Sequence, residues 1–345
     1  MSQLGDFGVS GPVILAPMAG ITDRPFRRLC KRYGIGLVVS EMVASREVLE
    51  GMKSVRAKAE LDADDGLTAV QIAGRERYWM AEAARFVADR GARIIDINMG
   101  CPAKKVTNGL SGSALMRDPD HALGLIAAVV DAVDVPVTLK MRLGWDRSTM
   151  TAPEIARRAA GAGVRAITVH GRTRCDFYTG RADWAAIRDV VDAVEVPVIA
   201  NGDIVDAETA SAALAASGAA AVMVGRGARG RPWLPGQIMS VLMGRAPSES
   251  PAVDPPGKER VALILEHLEA QCLHYGKDLG LRTIRKHLGW YAEAMPGGAA
   301  LRSRLVRACS AHEIGAALND WLARHEDGAT AHAADTGGAD RRIAA

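Results

Sequence analysis

The chain has 345 residues, of which 48% are hydrophobic and 24% are charged, so a largely disordered protein is excluded. Its formal net charge of +3 is too small to indicate a polyanionic partner unless the charges are clustered. The five cysteines are widely scattered and form no CxxC pair, which argues against both a disulfide framework and a zinc site.

The amino-terminal sequence resembles neither a signal peptide nor a membrane anchor. The first residues, MSQLGDFGVSGP, lack a basic stretch followed by an apolar one. No uncharged apolar run reaches the roughly 18 residues that cross a bilayer. We therefore expect a cytoplasmic protein without a membrane segment.

Short apolar, β-branched segments recur in the first two thirds of the chain, each followed by residues with helical spacing, which indicates parallel βαβ units. The eight segments are VILAPMAG from Val13, GLVVSEM from Gly36, LTAVQIAG from Leu67, RIIDINMG from Arg93, PVTLKMRLG from Pro136, AITVHGR from Ala166, PVIANGDI from Pro197 and AVMVGRGA from Ala221. Most begin apolar and end polar or glycine-rich. Because barrel enzymes build their active sites at the carboxyl ends of the strands, this pattern predicts an α/β fold, a (β/α)8 TIM barrel over residues 1–245.

A doubly wound, dinucleotide-binding sheet is the alternative fold. Its one supporting motif is GRGARG at Gly225 to Gly230, which matches GxGxxG after a strand. That strand is the last of the eight rather than the first, whereas the dinucleotide motif follows the first strand. The barrel is therefore favoured.

The last third of the chain has a different pattern. Four prolines in RAPSESPAVDPPGK predict a linker over 246–257. From 258 to 325 the apolar residues recur at helical spacing without a strand-like segment, which predicts a small all-α helical-bundle domain. Residues 326–345 lack large apolar side chains apart from Ile343 and are expected to form a disordered tail.

The segment DINMGCPAKKV carries the first candidate chemistry. It places Asn98 and Cys101 just past the fourth strand, where a side chain faces the barrel mouth. Lys104 and Lys105 follow, and such cations can stabilise a thiolate or meet substrate phosphates. The alternatives are a cysteine that merely packs as a small apolar residue and a solvated pair of surface lysines.

Three further strand ends supply cations and hydrogen-bond donors: Lys140 and Arg142, then His170, Arg172 and Arg174, then the turn of Asn201, Gly202 and Asp203. Because lysine is seldom buried without a partner, Lys140 indicates an anionic or acceptor-rich ligand. His170 has the alternative role of a satisfied core histidine. Gly225 and Arg226 follow the last strand, where barrels commonly hold a phosphate. The residues thus predict a phosphate-binding barrel with a thiol at its mouth, and a phosphate-tailed flat cofactor such as flavin mononucleotide (FMN) satisfies this geometry.

These motifs resemble the landmarks of the tRNA-dihydrouridine synthase family, especially its bacterial branch. APMAGITDRPFR, VQIAG, INMGCPAKKV, GSALM, HGRTR, ADW, VPVIANGDI and GRGARGRPW occur in that order and cover nearly all of residues 13 to 233. RKHLGWY at Arg285 to Tyr291 resembles the family's helical carboxyl-terminal domain. The cysteine motif is specific, whereas the NGD and GR turns are shared with other flavin barrels.

The resemblance implies an FMN-dependent oxidoreductase that reduces the C5–C6 double bond of specific tRNA uridines to 5,6-dihydrouridine, with NADPH or NADH as reductant. It implies that Cys101 is the proton donor. The implied flavin contacts are Pro17, Met18, Ala19, Gln71, Lys140, His170, Asn201, Gly202, Asp203, Gly225 and Arg226. The substrate contacts expected with it are Asn98, Arg142, Arg172, Tyr178, Lys104, Lys105, Arg285 and Lys286. No metal or membrane partner is implied, and a monomer is expected.

The helical domain is expected to bind RNA. Between Lys277 and Arg307, seven basic residues stand against two acidic ones, a net charge of +5 that exceeds that of the whole chain. A charge run of this kind can also be an ordinary solvated face. Two other functions stay open: a flavin reductase of a free pyrimidine, of the dihydroorotate dehydrogenase type, and an RNA-binding protein whose active site has decayed.

Overall fold

The computed structural model of the chain describes residues 3–61, 66–245 and 254–335. Its strands are β1 (Val13–Leu15), β2 (Leu37–Val39), β3 (Val43–Ala44), β4 (Thr68–Ala73), β5 (Ile94–Met99), β6 (Val137–Arg142), β7 (Ala166–His170), β8 (Val198–Asn201) and β9 (Ala221–Val224). Its α-helices are α1 (Arg24–Lys31), α2 (Ser45–Leu49), α3 (Lys53–Arg56), α4 (Arg77–Ala88), α5 (Lys104–Thr107), α6 (Pro119–Val130), α7 (Ala152–Gly161), α8 (Arg188–Val191), α9 (Ala207–Ser217), α10 (Leu234–Leu242), α11 (Gly257–Tyr275), α12 (Lys277–Glu293), α13 (Gly298–Arg307) and α14 (Ala311–Asp335).

The strands form a closed parallel barrel. Their order is β2-β1-β9-β8-β7-β6-β5-β4-β3, and an additional pairing joins β2 to β4. That pairing closes a ring of eight strands, in which Ile14 of β1 lies opposite Met223 of β9. The two-residue β3 pairs with the far end of β4. The (β/α)8 barrel predicted from the sequence is confirmed, and each of the eight predicted segments contains a strand of the ring.

The inside of the barrel changes from apolar to polar along the strands. At the amino end, Ile14, Ile94 and Ile199 belong to one buried apolar cluster, and Leu4 of a short 3-10 helix, Gln3–Phe7, packs into it. The opposite faces of the strands pack against the outer helices in other apolar clusters. At the carboxyl end many inward positions are polar. Inside the barrel, the described residues therefore offer a polar ligand its hydrogen-bonding partners at the carboxyl end, where barrel enzymes also carry their active sites.

Local sequence signals set the ends of the outer helices. Asp23 precedes α1, and its carboxylate accepts a hydrogen bond from Phe26 N at 3.1 Å. Asp206 and Thr209 form a capping box at the start of α9, and Gly218 ends that helix with a left-handed φ of 70°. These caps satisfy backbone groups that would otherwise lack partners where each helix begins and ends.

The chain divides into two compact units, Met1–Ala228 with Pro232–Val253, and Arg229–Arg231 with Asp254–Ala345. The second unit contains α11 to α14 and buries an apolar core that includes Ile264. Its helical content agrees with the all-α pattern of the sequence, while the predicted domain bounds stay a prediction. Most of the predicted linker, 246–257, lies outside the described residues.

The carboxyl-terminal end differs from our expectation. α14 runs to Asp335 and so continues into the segment 326–345 that we expected to be a disordered tail. The first half of that segment is rich in alanine, the residue with the highest helix propensity, which favours a helix even where large apolar side chains are absent. Residues 336–345 lie outside the described part of the chain.

Candidate active site at the carboxyl ends of the strands

Neighbouring strands bring the predicted polar residues to one end of the barrel. Asn98 lies opposite Lys140, and Arg142 lies opposite His170, which in turn lies opposite Asn201. Each of these five side chains is buried. These pairings along β5 to β8 place residues more than a hundred positions apart in sequence on one wall of the barrel.

Lys140 is a buried cation inside the barrel. Its Nζ donates to Asn201 Oδ1 at 3.0 Å, and Asn201 Nδ2 donates to the carbonyl of Met223 at 2.8 Å. Burial lowers the pKa of Lys140, whereas the negative charge of Asp96 acts in the opposite direction. The ammonium group is therefore only partly compensated by the protein and suits an acceptor-rich or anionic ligand.

A chain of side-chain hydrogen bonds crosses β4, β5 and β6 beside this lysine. Thr138 Oγ1 donates to Asp96 Oδ1 at 2.6 Å, and Gln71 Nε2 donates to Asp96 Oδ2 at 2.7 Å. Asn98 Nδ2 donates to Gln71 Oε1 at 2.7 Å. Burial raises the pKa of Asp96. The hydrogen bonds from Thr138 and Gln71 and the positive charge of Lys140 act in the opposite direction. Hydrogen bonds between side chains, in addition to those between the strand backbones, thus order this wall of the site.

Cys101 sits in a tight turn just past β5. Asn98 Oδ1 accepts from Cys101 N at 3.1 Å and from Gly100 N at 3.3 Å, while the Cys101 carbonyl accepts from Ser113 N at 3.1 Å. Gly112, with a φ of 60°, packs so closely that a Cβ there would lie 2.9 Å from the Cys101 carbonyl oxygen. The thiol is half-buried. Two cations lie beside this turn, because Asn98 is opposite Lys140 in the strand register and Arg142 donates to the carbonyl of Gly100.

Arg142 connects this turn to the loop after β7. It is 1% exposed, and it donates to the carbonyl of Gly100 at 2.9 Å, of Thr173 at 2.7 Å and of Phe177 at 2.8 Å. Its guanidinium lies 5.3 Å from the ring of Tyr178, a side chain that is 51% exposed. Most of its donors are used within the protein, so Arg142 shapes the site and contributes positive charge to it.

The buried Arg172 and the half-buried Asp203 form a second support of the site. Arg172 donates to both carboxylate oxygens of Asp203, at 3.0 and 2.6 Å, and to the carbonyls of Thr179 and Gly180. Burial raises the pKa of Asp203, but the hydrogen bond and charge of Arg172, with help from Arg226, outweigh it and leave that pKa below its ordinary value. The sequence could not show that the guanidinium of Arg172 is turned toward its own protein rather than toward a substrate.

His170 lies opposite Arg142 in the strand register, at the carboxyl end of β7. Burial, together with the surrounding positive charges of Lys140 and Arg142 among others, lowers its pKa well below the ordinary value. Arg172 Nη1 lies 3.3 Å from His170 Nε2. The imidazole is therefore neutral at pH 7 and can exchange hydrogen bonds with a neutral ring.

The ends of β8, β9 and β1 form a glycine-lined corner. Gly202 has a φ of 117°, and a Cβ there would lie 2.7 Å from Ala182 Cβ. A Cβ on Gly225 would lie 3.8 Å from Met18 Sδ, which places the predicted phosphate turn beside the first strand end. Pro17 is half-buried and Ala19 exposed at the same strand end.

Arg226 is the predicted cation of this corner. It is exposed, lies 3.2 Å from Asp203 Oδ1, and stands 4.9 Å from the ring of Tyr178. Lys104 and Lys105 are exposed at the start of α5, after the turn that holds Cys101. Exposed cations thus follow both the thiol turn and the glycine corner.

In the helical unit, the two basic residues expected to bind RNA are half-buried. Arg285 Nη2 donates to the carbonyl of Ala308 at 3.4 Å. Lys286 is close enough to the buried His267 to lower its pKa. Arg304 forms an ion pair with Asp320, with 2.6 Å between Nη2 and Oδ2. Asp320 lies outside the basic segment 277–307. Their contact with RNA stays a prediction.

Sequence reasoning missed Asp96 and Glu41. Both are buried polar residues at the carboxyl half of the barrel, and Glu41 accepts a hydrogen bond from Gly20 N. A signal for Asp96 was present, because Asp96 and Asn98 alternate within an otherwise apolar strand and so face the same side. Glu41 lies between β2 and β3, where the second predicted strand is interrupted.

Within residues 3–61, 66–245 and 254–335, no group of three or more His, Cys, Asp or Glu side chains is arranged to hold a metal ion. In the same residues, no helix is both long and apolar enough to span a membrane.

Comparison with known proteins adds independent information. Residues 14–325 match the family model described as Dihydrouridine synthase (Dus). The chain is 63% identical over 307 residues to a probable tRNA-dihydrouridine synthase of Rhodobacter capsulatus, covering 89% of this chain and 93% of that protein. It is 50% identical over 337 residues to a probable tRNA-dihydrouridine synthase of Rhizobium leguminosarum bv. phaseoli, covering 98% and 99%. A solved histamine dehydrogenase from Rhizobium sp. 4-9 is similar with a TM-score of 0.53 at 12% identity, over 75% of this chain and 48% of that one, a likeness of fold alone.

Proposed function

The chain belongs to the dihydrouridine synthase family, and on that premise we propose that it reduces the C5–C6 double bond of specific tRNA uridines to 5,6-dihydrouridine. FMN is the proposed cofactor, and NADPH or NADH the reductant. The observation that carries the proposal is that Cys101 and the buried Lys140 belong to one barrel mouth, because Asn98 lies opposite Lys140 in the strand register and accepts a hydrogen bond from Cys101 N. A thiol and a cofactor-binding cation in one cavity suit a reaction that adds a hydride and a proton to the same double bond.

The residues at the mouth fit a flavin. Lys140 and the NH2 groups of Gln71 and Asn98 supply donors, and the neutral His170 adds a ring that can donate or accept, as an acceptor-rich ring system requires. The glycine corner with Arg226 suits the phosphate, because backbone amides and a cation are what a phosphate binds. When bound, FMN supplies the hydride for C6 of uracil.

Cys101 then provides the proton. Hydride addition at C6 places enolate-like charge on the uracil ring, and an acid beside C5 completes the reduction by protonating that carbon. The positive charge of Arg142 and an N–H of Asn98 lower the energy of the developing negative charge. After the transfer the sulfur is a thiolate, and Lys140 and Arg142, which lie beside the Cys101 turn, can stabilise its charge.

A uridine must leave its stack to reach this cavity, at a cost of about a few kcal/mol. Tyr178 is a candidate to receive the base or its neighbour, because its ring is exposed and lies near both Arg142 and Arg226. Lys104 and Lys105, exposed beside the thiol turn, are candidates for nearby phosphates. We further propose that Arg285, Lys286 and the rest of the basic segment help hold the tRNA, and that the protein acts as a cytoplasmic monomer.

The test compares Cys101→Ala with Cys309→Ala, which removes an exposed thiol of the helical unit. Flavin content, reduction of the flavin by NADPH, and dihydrouridine in unmodified tRNA are measured for both variants. We expect Cys101→Ala to keep its flavin and its reduction by NADPH while product formation falls by about 100-fold or more. Cys309→Ala should match the wild type in all three.

Undiminished product formation by Cys101→Ala would remove Cys101 from the reaction. A purified protein that takes up no flavin would contradict the enzyme assignment altogether. Free uridine reduced as efficiently as tRNA would favour the pyrimidine reductase instead.

A further inference from the structure

The buried carboxylate of Asp96 lies at the end of an amide relay that leads to the proposed proton donor. Asp96 accepts from Gln71, Gln71 accepts from Asn98, and Asn98 accepts from the backbone N–H of Cys101. These three hydrogen bonds are 2.7, 2.7 and 3.1 Å long, and the side chains of Asp96, Gln71 and Asn98 are each less than 10% exposed. No backbone ladder bond is needed to connect the barrel wall to the turn.

The relay has one permitted direction. A backbone N–H can only donate, so the Cys101 end requires Asn98 to present its oxygen and leaves its NH2 group for Gln71. Gln71 must then present its oxygen to Asn98 and its NH2 group to Asp96, where an ionised carboxylate can only accept. Both ends therefore demand the same orientation of the two amides.

We infer that Asp96 is a positioning residue, which fixes the orientation of Gln71 and Asn98 and through them the turn that carries Cys101. Its role in catalysis rests on the proposed function, whereas the relay itself does not. Each NH2 group uses one N–H within the relay, and the other N–H remains a donor for an acceptor-rich ligand. The carboxylate thus makes two amides act as donors on one wall of the site.

Exchanging the residue types at positions 96 and 98 gives a sharp test. In Asn98→Asp, the new carboxylate still accepts from Cys101 N–H but cannot donate to Gln71. If Gln71 turns round, its oxygen faces Asp96, so two buried acceptors meet whichever orientation is chosen. In the double variant Asp96→Asn/Asn98→Asp, residue 96 donates to Gln71 and Gln71 donates to residue 98, so every donor again meets an acceptor. The double variant has the same charge and nearly the same volume as the wild type.

The first measurement is thermal unfolding of the full-length protein as purified. Asn98→Asp should lower the midpoint by about 3–10 °C, because buried groups lose their partners. The double variant should recover at least half of that loss. A double variant no more stable than Asn98→Asp overturns the relay.

The second measurement reports on the turn itself. Iodoacetamide labelling of Cys101 is followed by mass spectrometry, with the exposed Cys175 and Cys309 as references within the same molecule. Asp96→Leu and Asn98→Asp should change the labelling rate of Cys101, relative to the references, by a factor of about three or more. The double variant should return toward the wild-type ratio. Thr138→Val removes the other hydrogen bond to Asp96 and should leave the ratio near that of the wild type.

An unchanged Cys101 ratio in Asp96→Leu would overturn the positioning role. Because neither measurement needs flavin or tRNA, the two ideas fail separately. A relay confirmed in a protein that forms no dihydrouridine would contradict the proposed function alone, and dihydrouridine formation without the predicted recovery would contradict the relay alone.

Discussion

Mild acid should destabilise the helical unit, because two neutral histidines lie in its core. The rings of His267 and His287 are 4.7 Å apart and both side chains are fully buried. His267 Nδ1 lies 3.0 Å from the hydroxyl of Tyr291, and its Nε2 lies 3.3 Å from Gln271 Nε2. Burial, with the charge of Lys286, lowers the pKa of His267 to about 3, and burial lowers that of His287 in the same direction.

The sign and size follow from proton linkage. Between pH 6.5 and pH 3 the unfolded chain binds a proton at His267 that the folded chain does not. The stability is therefore complete above the unfolded pKa and is lost as the pH falls toward the folded one. At pH 5 the loss is about 2 kcal/mol for His267, with a further loss in the same direction for His287. A loss of this size lowers the unfolding midpoint by at least several degrees.

The assay is thermal unfolding of the whole chain, followed by circular dichroism from pH 7.5 to pH 5. The double variant His267→Gln/His287→Leu should show a flatter dependence on pH, since neither new side chain titrates. His312→Gln, at an exposed position, should keep the wild-type slope. The difference between the two slopes isolates the histidines from carboxyl groups such as Asp96. A wild-type midpoint that does not move between pH 7.5 and pH 5, or a double variant with the full wild-type slope, would refute the reasoning.

Two further predictions concern the mouth and the basic segment. Asp203 has a φ of 54° and binds the buried Arg172, so Asp203→Ala should cost about 2 kcal/mol of unfolding free energy, and Asp203→Asn less, because asparagine tolerates this backbone and keeps one acceptor. Chemical denaturation of both variants checks this, and equal losses would contradict it. Replacing the exposed Arg282 and Arg307 by Gln should weaken tRNA binding and make its salt dependence less steep by about 0.7–0.9 for each phosphate that is no longer neutralised. A binding titration at several salt concentrations measures the slope, with the exposed Arg157→Gln of α7 as control, and an unchanged slope would count against this surface.

The barrel could be predicted because its strands are short, apolar and regularly spaced, and because each one ends in polar or glycine residues. The break between β2 and β3 could not, since the buried Glu41 there is held by Gly20, a contact between residues on different strand ends. The helical extension of α14 was missed because low hydrophobicity predicts disorder even where alanine favours a helix.

The site was only partly predictable for a similar reason. Residue type and position at a strand end were enough to select Lys140, His170 and Asn201, which share one wall. They were not enough to show that Arg142 binds carbonyls 31 to 42 residues away in sequence, since such partners depend on how loops fold. Asp96 was overlooked for a different reason. It is buried, and the role inferred for it is to order the side chains of Gln71 and Asn98.

The apolar plug at the amino end of the barrel has a consequence for the order of events. Leu4 packs into the amino end, so the buried polar residues of the candidate site lie toward the opposite end of the barrel. Under the proposed function, a nicotinamide and a uracil ring would both approach one flavin ring from that opposite end. The arrangement favours binding in sequence, in which the oxidised nicotinamide leaves before the tRNA base binds.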